Sequence, residues 1–541
     1  MVQSALDISA RREAMIKAGL WQDKTLLDHF AKACASAPDR LAIVAGKTEN
    51  GEQVRISYAE FDRLSDHVAI ALQRCGVGEG DVVSFQLPNW WEFSVLHLAC
   101  LKIGAISNPL MVIFRERELT FMLGLAESKV LVTPVSFRGV DYTEIVKNIR
   151  PHLPNLKQAF AVGAEGEGGF GQLVNITPSA DEIAQLRARR LSPDAVVELL
   201  YTSGTTGEPK GVMHTSNTML ANLVPFADRL HLEGRDVIHM PSPLAHQLGF
   251  MYGIVLPAML GATVVLQDIF EPAEMARQIR DEGASFTMAA TPFLNDLANY
   301  VEQTGNATPT LRIFVSAGAP IPRALVAKAL KVLGASIISA WGMSENGAVT
   351  TARPEDAEEK VTGTDGCALN GMAVRVVDAE HKECKPGEEG QLLVRGCSNF
   401  VGYFKRPGLA NVDADGWFDT GDIARMDAEG YIRIAGRSKD IIIRGGENIP
   451  VVEVEELLFR HPAVTTIAIV GYPDDRLGER ACAFVTLRAG HTLTLADMIA
   501  YLKEQKIAPQ YIPERLEILE DLPRTPSGKI QKFKLREMFK N

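Results

Sequence analysis

Eleven consecutive residues, Tyr201-Thr202-Ser203-Gly204-Thr205-Thr206-Gly207-Glu208-Pro209-Lys210-Gly211, concentrate hydroxyls and glycines around a single lysine. Glycines let backbone amides approach an anion closely, the hydroxyls add donors, and Lys210 adds charge, so phosphate binding is the chemistry implied. A strand-like apolar run at 195–200 leads directly into the segment. The spacing is not that of a Walker A loop, which needs Gly-Lys-Ser/Thr after four residues and a helix behind it. A flexible surface turn is the competing reading, and the density of Ser, Thr and Gly after a buried strand argues against it. Lys529 sits in a second loop, Pro526-Ser527-Gly528-Lys529, within a basic stretch that also holds Arg524, Lys532, Lys534, Arg536 and Lys540. Read by itself, that stretch is a solvated basic tail. His246 lies in an apolar segment, Pro243-Leu244-Ala245-His246-Gln247-Leu248-Gly249-Phe250, where a hydrogen-bonded core histidine is the bland alternative.

Helix and strand patterns alternate around these residues. Ser57 and Glu60 have capping-box spacing, and Phe61, Leu64, Val68 and Leu72 follow on one helical face. A short apolar run at 82–87, a helical segment at 91–101 and strand-like runs at 130–133 and 158–162 come next, with a glycine-rich loop at 165–171. Such alternation predicts an α/β fold of mostly parallel sheets flanked by helices. A boundary is expected near Gly436, after a strand at 431–434. Beyond it, a helix from about 453, strands at 465–470 and 482–487, and a helix with Leu495, Met498, Ile499 and Leu502 on one face make a small α+β unit. The expected division is 1–436 and 437–541.

At 541 residues, 46% hydrophobic and 23% charged, the chain can bury a large core in more than one domain. Its net charge of −11 argues against a nucleic-acid or anionic-membrane binder; residues 437–541 carry +1, so the acidity belongs to the larger unit. Seven cysteines without a C-x-x-C pair suggest neither a disulfide framework nor a zinc cluster, and fit a reducing cytoplasm. The N-terminus has no uninterrupted apolar h-region of a secretory signal. Residues 237–267 contain no Asp, Glu, Lys or Arg, long enough for a membrane span, but Pro257 and Gly249, Gly253 and Gly261 favour a buried helix turning at Gly261 into a buried strand.

Further segments carry a family resemblance. They are Ser316-Ala317-Gly318-Ala319-Pro320, Trp341-Gly342-Met343-Ser344-Glu345, Trp417-Phe418-Asp419-Thr420-Gly421-Asp422, Gly436-Arg437-Ser438-Lys439-Asp440 and Arg444-Gly445-Gly446-Glu447-Asn448. Together with the 201–211 and 526–530 loops, in this order and spacing, they resemble the adenylate-forming superfamily of acyl-CoA synthetases, luciferases and peptide-synthetase adenylation domains. The resemblance covers essentially the whole chain. It implies ATP, Mg²⁺ and coenzyme A as cofactors, and a mobile small domain pivoting at Lys439.

It also implies roles for individual residues. Thr202 to Gly207 and Lys210 would hold the phosphates, Ser316 to Pro320 the adenine side, and Glu345 with Thr202 the metal. Trp341 and Ser344 stand where the family usually has Tyr and Thr: Ser344 keeps the hydroxyl, and Trp341 keeps a stacking face. Asp422 would accept from the ribose hydroxyls, Arg437 would hold ribose or phosphate, and Gly445 and Gly446 would pass the pantetheine arm. Lys529 would stabilise charge between carboxylate and α-phosphate. His246, Phe250, Ala317, Gly342 and Gly347 would line the acid pocket, with His246 shaping it and not acting as a base, since a carboxylate is already ionised at neutral pH.

The runs Phe85-Gln86-Leu87-Pro88-Asn89-Trp90 and Ala290-Thr291-Pro292-Phe293 look most like bacterial short- to medium-chain fatty acyl-CoA synthetases and cyclohexanecarboxylate–CoA ligases. The expected reaction is AMP-forming ligation of an apolar monocarboxylic acid to CoA. Its small-molecule partners would be the carboxylate, ATP and CoA; no nucleic acid and no integral membrane segment are expected, and a homodimer is. Competing expectations are adenylation of an aromatic acid, loading of a carrier protein, a luciferase-type oxygenase and, from another class, a membrane acid transporter.

Overall fold

The computed structural model describes residues 8–202, 209–318, 321–437, 442–444, 447–474, 477–505, 507, 509–525 and 528–539. The fold is α/β, with a large N-terminal domain of sheets flanked by helices and a small C-terminal domain. One six-stranded sheet runs in the order Lys210–Thr215, Val196–Thr202, Ile106–Pro109, Val82–Phe85, Val130–Pro134, Gln158–Val162. Its strands are parallel except for the hairpin at the Lys210 edge. The central strands are buried on both faces, and their polar side chains are hydrogen-bonded inside: Asn108 donates to Ser84 Oγ at 2.7 Å, and Ser107 Oγ lies 2.9 Å from His97 Nδ1.

A nine-stranded sheet lies beside it, with parallel strands Ile313–Ser316, Phe286–Ala289, Val237–Met240 and Thr263–Leu266 at its centre. Next to Ile313–Ser316 comes Ser336–Met343, which turns back through an antiparallel partner, Gly347–Thr351. A four-stranded antiparallel sheet, Met372–Val377 to Ile432–Arg437, completes the large domain. In the small domain a separate sheet pairs Val464–Asp474 with Gly478–Leu487 and closes its own core over Val454, Leu458, Met498 and Leu502.

The apolar stretch at 237–267 resolves into a strand, a helical segment from Gln247 to Leu260 with a π-helical turn at Met251–Val255, and the strand Thr263–Leu266. Gly261, at φ +73°, makes the left-handed turn between helix and strand. Among the described residues no helix is long and apolar enough to cross a membrane.

One local expectation is corrected. The Ser57 side chain accepts from Glu60 N, but the reciprocal half of the capping box is missing. The Glu60 carboxylate instead accepts from Arg63 Nε at 2.8 Å and Nη2 at 2.6 Å, because a guanidinium fork outcompetes one backbone amide. The helix Leu495–Glu504 forms as expected, with Met498 and Leu502 buried, Ile499 packed beside them and Leu495 at the exposed end of that face.

Candidate active site

Thr202 and Lys210 face each other across the antiparallel hairpin that brackets the Ser/Thr/Gly loop. The loop residues Ser203, Gly204, Thr205, Thr206 and Gly207 lie outside the described residues, as do Ala319, Pro320, Lys439, Gly445 and Gly446. The Lys210 ammonium sits 4.9 Å above the ring of Tyr403. The same tyrosine's hydroxyl donates to Glu345 Oε1 at 2.7 Å. One aromatic side chain thus ties the loop's lysine to the acidic residue. Burial, and then the charge of Glu345, push the Tyr403 phenol far above its ordinary pKa, so it remains a donor.

Glu345 is buried in the turn between Ser336–Met343 and Gly347–Thr351, so no helix terminus accounts for its charge. The backbone beside it is held on both sides. Phe400 N donates to the Glu345 carbonyl at 2.6 Å, His214 Nε2 to the Ser344 carbonyl at 2.7 Å, and Met343 N to Asn346 Oδ1 at 3.1 Å. The Glu345 carboxylate is a hard oxygen donor of the kind suited to Mg²⁺. Among the described residues no cluster of three or more His, Cys, Asp or Glu could cage a metal.

A second group forms where two sheets meet. Trp341, in Ser336–Met343, donates its indole N–H to Asp422 Oδ2 at 2.9 Å, and both side chains are buried. Asp422 N is in turn held by Thr420 Oγ1 at 3.0 Å, and Arg437 lies opposite Asp422 in the strand register. Ser316 ends the neighbouring strand and Ala317 follows it, with Ser316 Oγ 3.4 Å from Thr291 Oγ1. Gly318, at φ +79°, turns the chain away in a conformation that disfavours any side chain.

Gly342 and Gly347 were expected to leave room for an acid, yet a Cβ on Gly342 would sit 1.9 Å from the Gly347 carbonyl oxygen. One on Gly347 would meet Asn222 Oδ1 at 2.8 Å. The protein's own atoms therefore require both glycines.

The third group joins the two domains. His246 caps the short helix Gln247–Phe250, its Nδ1 accepting from Leu248 N at 3.3 Å. Burial, and then the charge of Lys529, lower its pKa to about 4, so the ring is neutral. Lys529 is presented by a tight turn in which Thr525 N donates to the Lys529 carbonyl at 2.7 Å and Gly528 N to the Thr525 carbonyl at 2.8 Å. A Cβ on Gly528 would lie 3.1 Å from Pro292, so this turn packs against the start of the helix Thr291–Thr304. Glu456, in the small-domain helix Val451–Phe459, accepts from Arg323 N and Arg433 Nη2, each at 3.0 Å.

Sequence reasoning missed Tyr403, which reads as one more core aromatic, and Glu198. The latter is an acid inside an apolar strand, fully buried, with Gln247 beside it. Burial pushes its pKa up to about 8. The folded chain keeps this proton where an unfolded one, at 4.5, has released it. The associated stability is therefore present at acid pH and lost as pH rises from 4.5 through about 8. Glu198→Gln is expected to remove a loss on the order of a few kcal/mol between those limits. Thermal melts of both chains at pH 5.5 and 8.5 check it; an unchanged difference between the two pH values in the variant contradicts it.

A model described as "AMP-binding enzyme" matches residues 30–404, and one described as "AMP-binding enzyme C-terminal domain" matches 453–529. The chain belongs to the AMP-binding enzyme family. This AMP-binding enzyme is 37% identical over 534 residues to the medium-chain fatty-acid–CoA ligase of Escherichia coli K12, covering 97% of this chain and 92% of that one. It is 30% identical to the 2,3-dihydroxybenzoate-AMP ligase of Bacillus subtilis 168, over 97% of this chain and 95% of that one. The ATP-bound MatB of Rhodopseudomonas palustris has the same architecture, with a TM-score of 0.83 and 27% identity over 96% of this chain and 99% of that one. Family and relatives together make this AMP-binding enzyme an acid–thiol ligase, an AMP-forming acyl-CoA synthetase.

Proposed function

We propose that the chain joins an apolar monocarboxylic acid, medium-chain fatty or alicyclic, to coenzyme A through an acyl-adenylate. The observation that carries this reading is that the small-domain turn bearing Lys529 packs against Pro292 and Phe293 of the large domain, close enough for its charge to act on neutral His246. A carboxylate oxygen attacks the α-phosphorus of ATP, the bond to the bridging oxygen breaks, and pyrophosphate leaves. Lys529 stabilises charge between the two reacting anions, while Lys210 and the loop after Thr202 hold the outgoing phosphates. Bound by Glu345 and Thr202, Mg²⁺ would neutralise phosphate charge. Neutral His246 shapes the acid's seat without adding a charge. Asp422 accepts from the ribose, beside Trp341.

In the second half-reaction the small domain turns about a pivot near Lys439, between units 1–436 and 437–541, and withdraws Lys529. The CoA thiol, entering past Gly445 and Gly446, then attacks the acyl carbon and AMP leaves. Cyclohexanecarboxylate is the alicyclic acid favoured by the resemblance. A hydroxylated aromatic acid is the second reading, favoured by buried Glu198 and Gln247 beside the His246 corner and by the dihydroxybenzoate relative.

The test is AMP release with and without CoA over linear, alicyclic, aromatic and dicarboxylic acids. CoA-dependent release, largest for medium-chain or alicyclic monocarboxylates, is expected. Preference for a dicarboxylate, or adenylate formation that CoA never discharges, contradicts the reading.

A further inference from the structure

The indole of Trp341 and the carboxylate of Asp422 are 81 positions apart and stand on different sheets, one nine-stranded and one four-stranded. Their 2.9 Å bond spans the seam between those sheets. Indole is a donor without acceptor capacity, and a bond to an ionised carboxylate is among the stronger kinds available to it. Asp422 is 4% exposed and Trp341 8%, so water does not compete freely for either partner. The Asp422 backbone is fixed separately, through Thr420 Oγ1. A short, buried carboxylate held by its backbone can still turn about its side-chain torsions, and the indole removes that freedom.

We propose that Trp341 is a positioning residue for nucleotide recognition: its N–H orients the Asp422 carboxylate so that the remaining lone pairs meet the ribose hydroxyls of ATP. This rests on the reading of Asp422 as the ribose acceptor. The role differs from presenting a flat ring to the base, because phenylalanine keeps a ring and loses the N–H. Orientation of an acceptor before the nucleotide arrives acts on binding of the hydroxyls, so its loss falls on KM for ATP and on discrimination against deoxy-nucleotides. The saturated rate and KM for the acid stay close to those of the parent.

The experiment measures kcat/KM for ATP, 2′-deoxy-ATP and 3′-deoxy-ATP in the full chain and in Trp341→Phe and Asp422→Asn. In Trp341→Phe the expected results are a rise of about tenfold in KM for ATP and a comparable fall in the preference for ATP over its deoxy forms. Asp422→Asn should lose that preference at least as completely. If the preference collapses in Asp422→Asn and stays intact in Trp341→Phe, the positioning role is overturned while the ribose assignment stands. If it survives in both, the ribose assignment falls and the inference with it. Should Trp341→Phe not fold, ¹⁵N-indole spectra of the parent and Asp422→Asn read the same bond. One of the five tryptophan signals should be displaced by Asp422→Asn, and by ATP more than by the deoxy-nucleotides. Five unmoved signals overturn the proposal.

Discussion

Lys529→Ala is expected to lower acid-dependent ATP–pyrophosphate exchange by roughly 100- to 1000-fold, the usual cost of removing one preorganised donor aimed at developing charge. Thioester formation from supplied acyl-adenylate should change by less than about threefold, because in the proposed cycle the lysine has left the site by then. The geometry behind this split is specific. Lys529 stands on a short turn braced by Thr525 and packed against Pro292, and its charge falls on the neutral ring of His246. The bonds that shape the turn are made by backbone atoms, so a melting temperature close to the parent's should accompany the loss. Equal losses in both half-reactions would contradict the account, and normal exchange would remove Lys529 from the chemistry.

Glu345→Gln is expected to reduce kcat/KM for ATP by about 100-fold and to raise the Mg²⁺ concentration needed for half-maximal rate. Glutamine keeps the shape and can still accept from the Tyr403 hydroxyl, so the turn should persist while the charge is lost. Tyr403→Phe removes the orienting donor and leaves the charge. Its cost should fall between about 10- and 100-fold, the range for partners that orient metal ligands. A Glu345→Gln enzyme with unchanged Mg²⁺ dependence would contradict the metal assignment.

The residue types of this site are legible in the sequence where each carries its chemistry within a few neighbours. Thr202 and Lys210 flank a run whose composition alone speaks of phosphate, and the hairpin pairs them. The turn at Gly261 was legible because a left-handed glycine ends a helix by local sterics. What escaped depends on tertiary partners. Tyr403 bonds to a residue 58 positions away, and nothing near it in the chain distinguishes it from a core aromatic. The bond between Trp341 and Asp422 joins two sheets whose packing no local pattern announces. Gly342 and Gly347 look like space for a substrate, whereas the backbone of their own hairpin turn and Asn222 exclude a side chain. Glu60 has the spacing of a capping residue but is taken by Arg63, one turn ahead on the same helix. In each case spacing identifies a possible partner, and competition among partners decides which bond forms.

In the proposed cycle a carboxylate oxygen of the acid attacks the α-phosphorus of ATP. The most direct measurement supplies an acid labelled with ¹⁸O in both carboxylate positions, together with ATP and CoA, and weighs the AMP produced. One ¹⁸O is expected in each AMP and one in the thioester, because thiol attack at the acyl carbon leaves the bridging oxygen on phosphorus. Unlabelled AMP, or label appearing in orthophosphate alongside ADP, would contradict it.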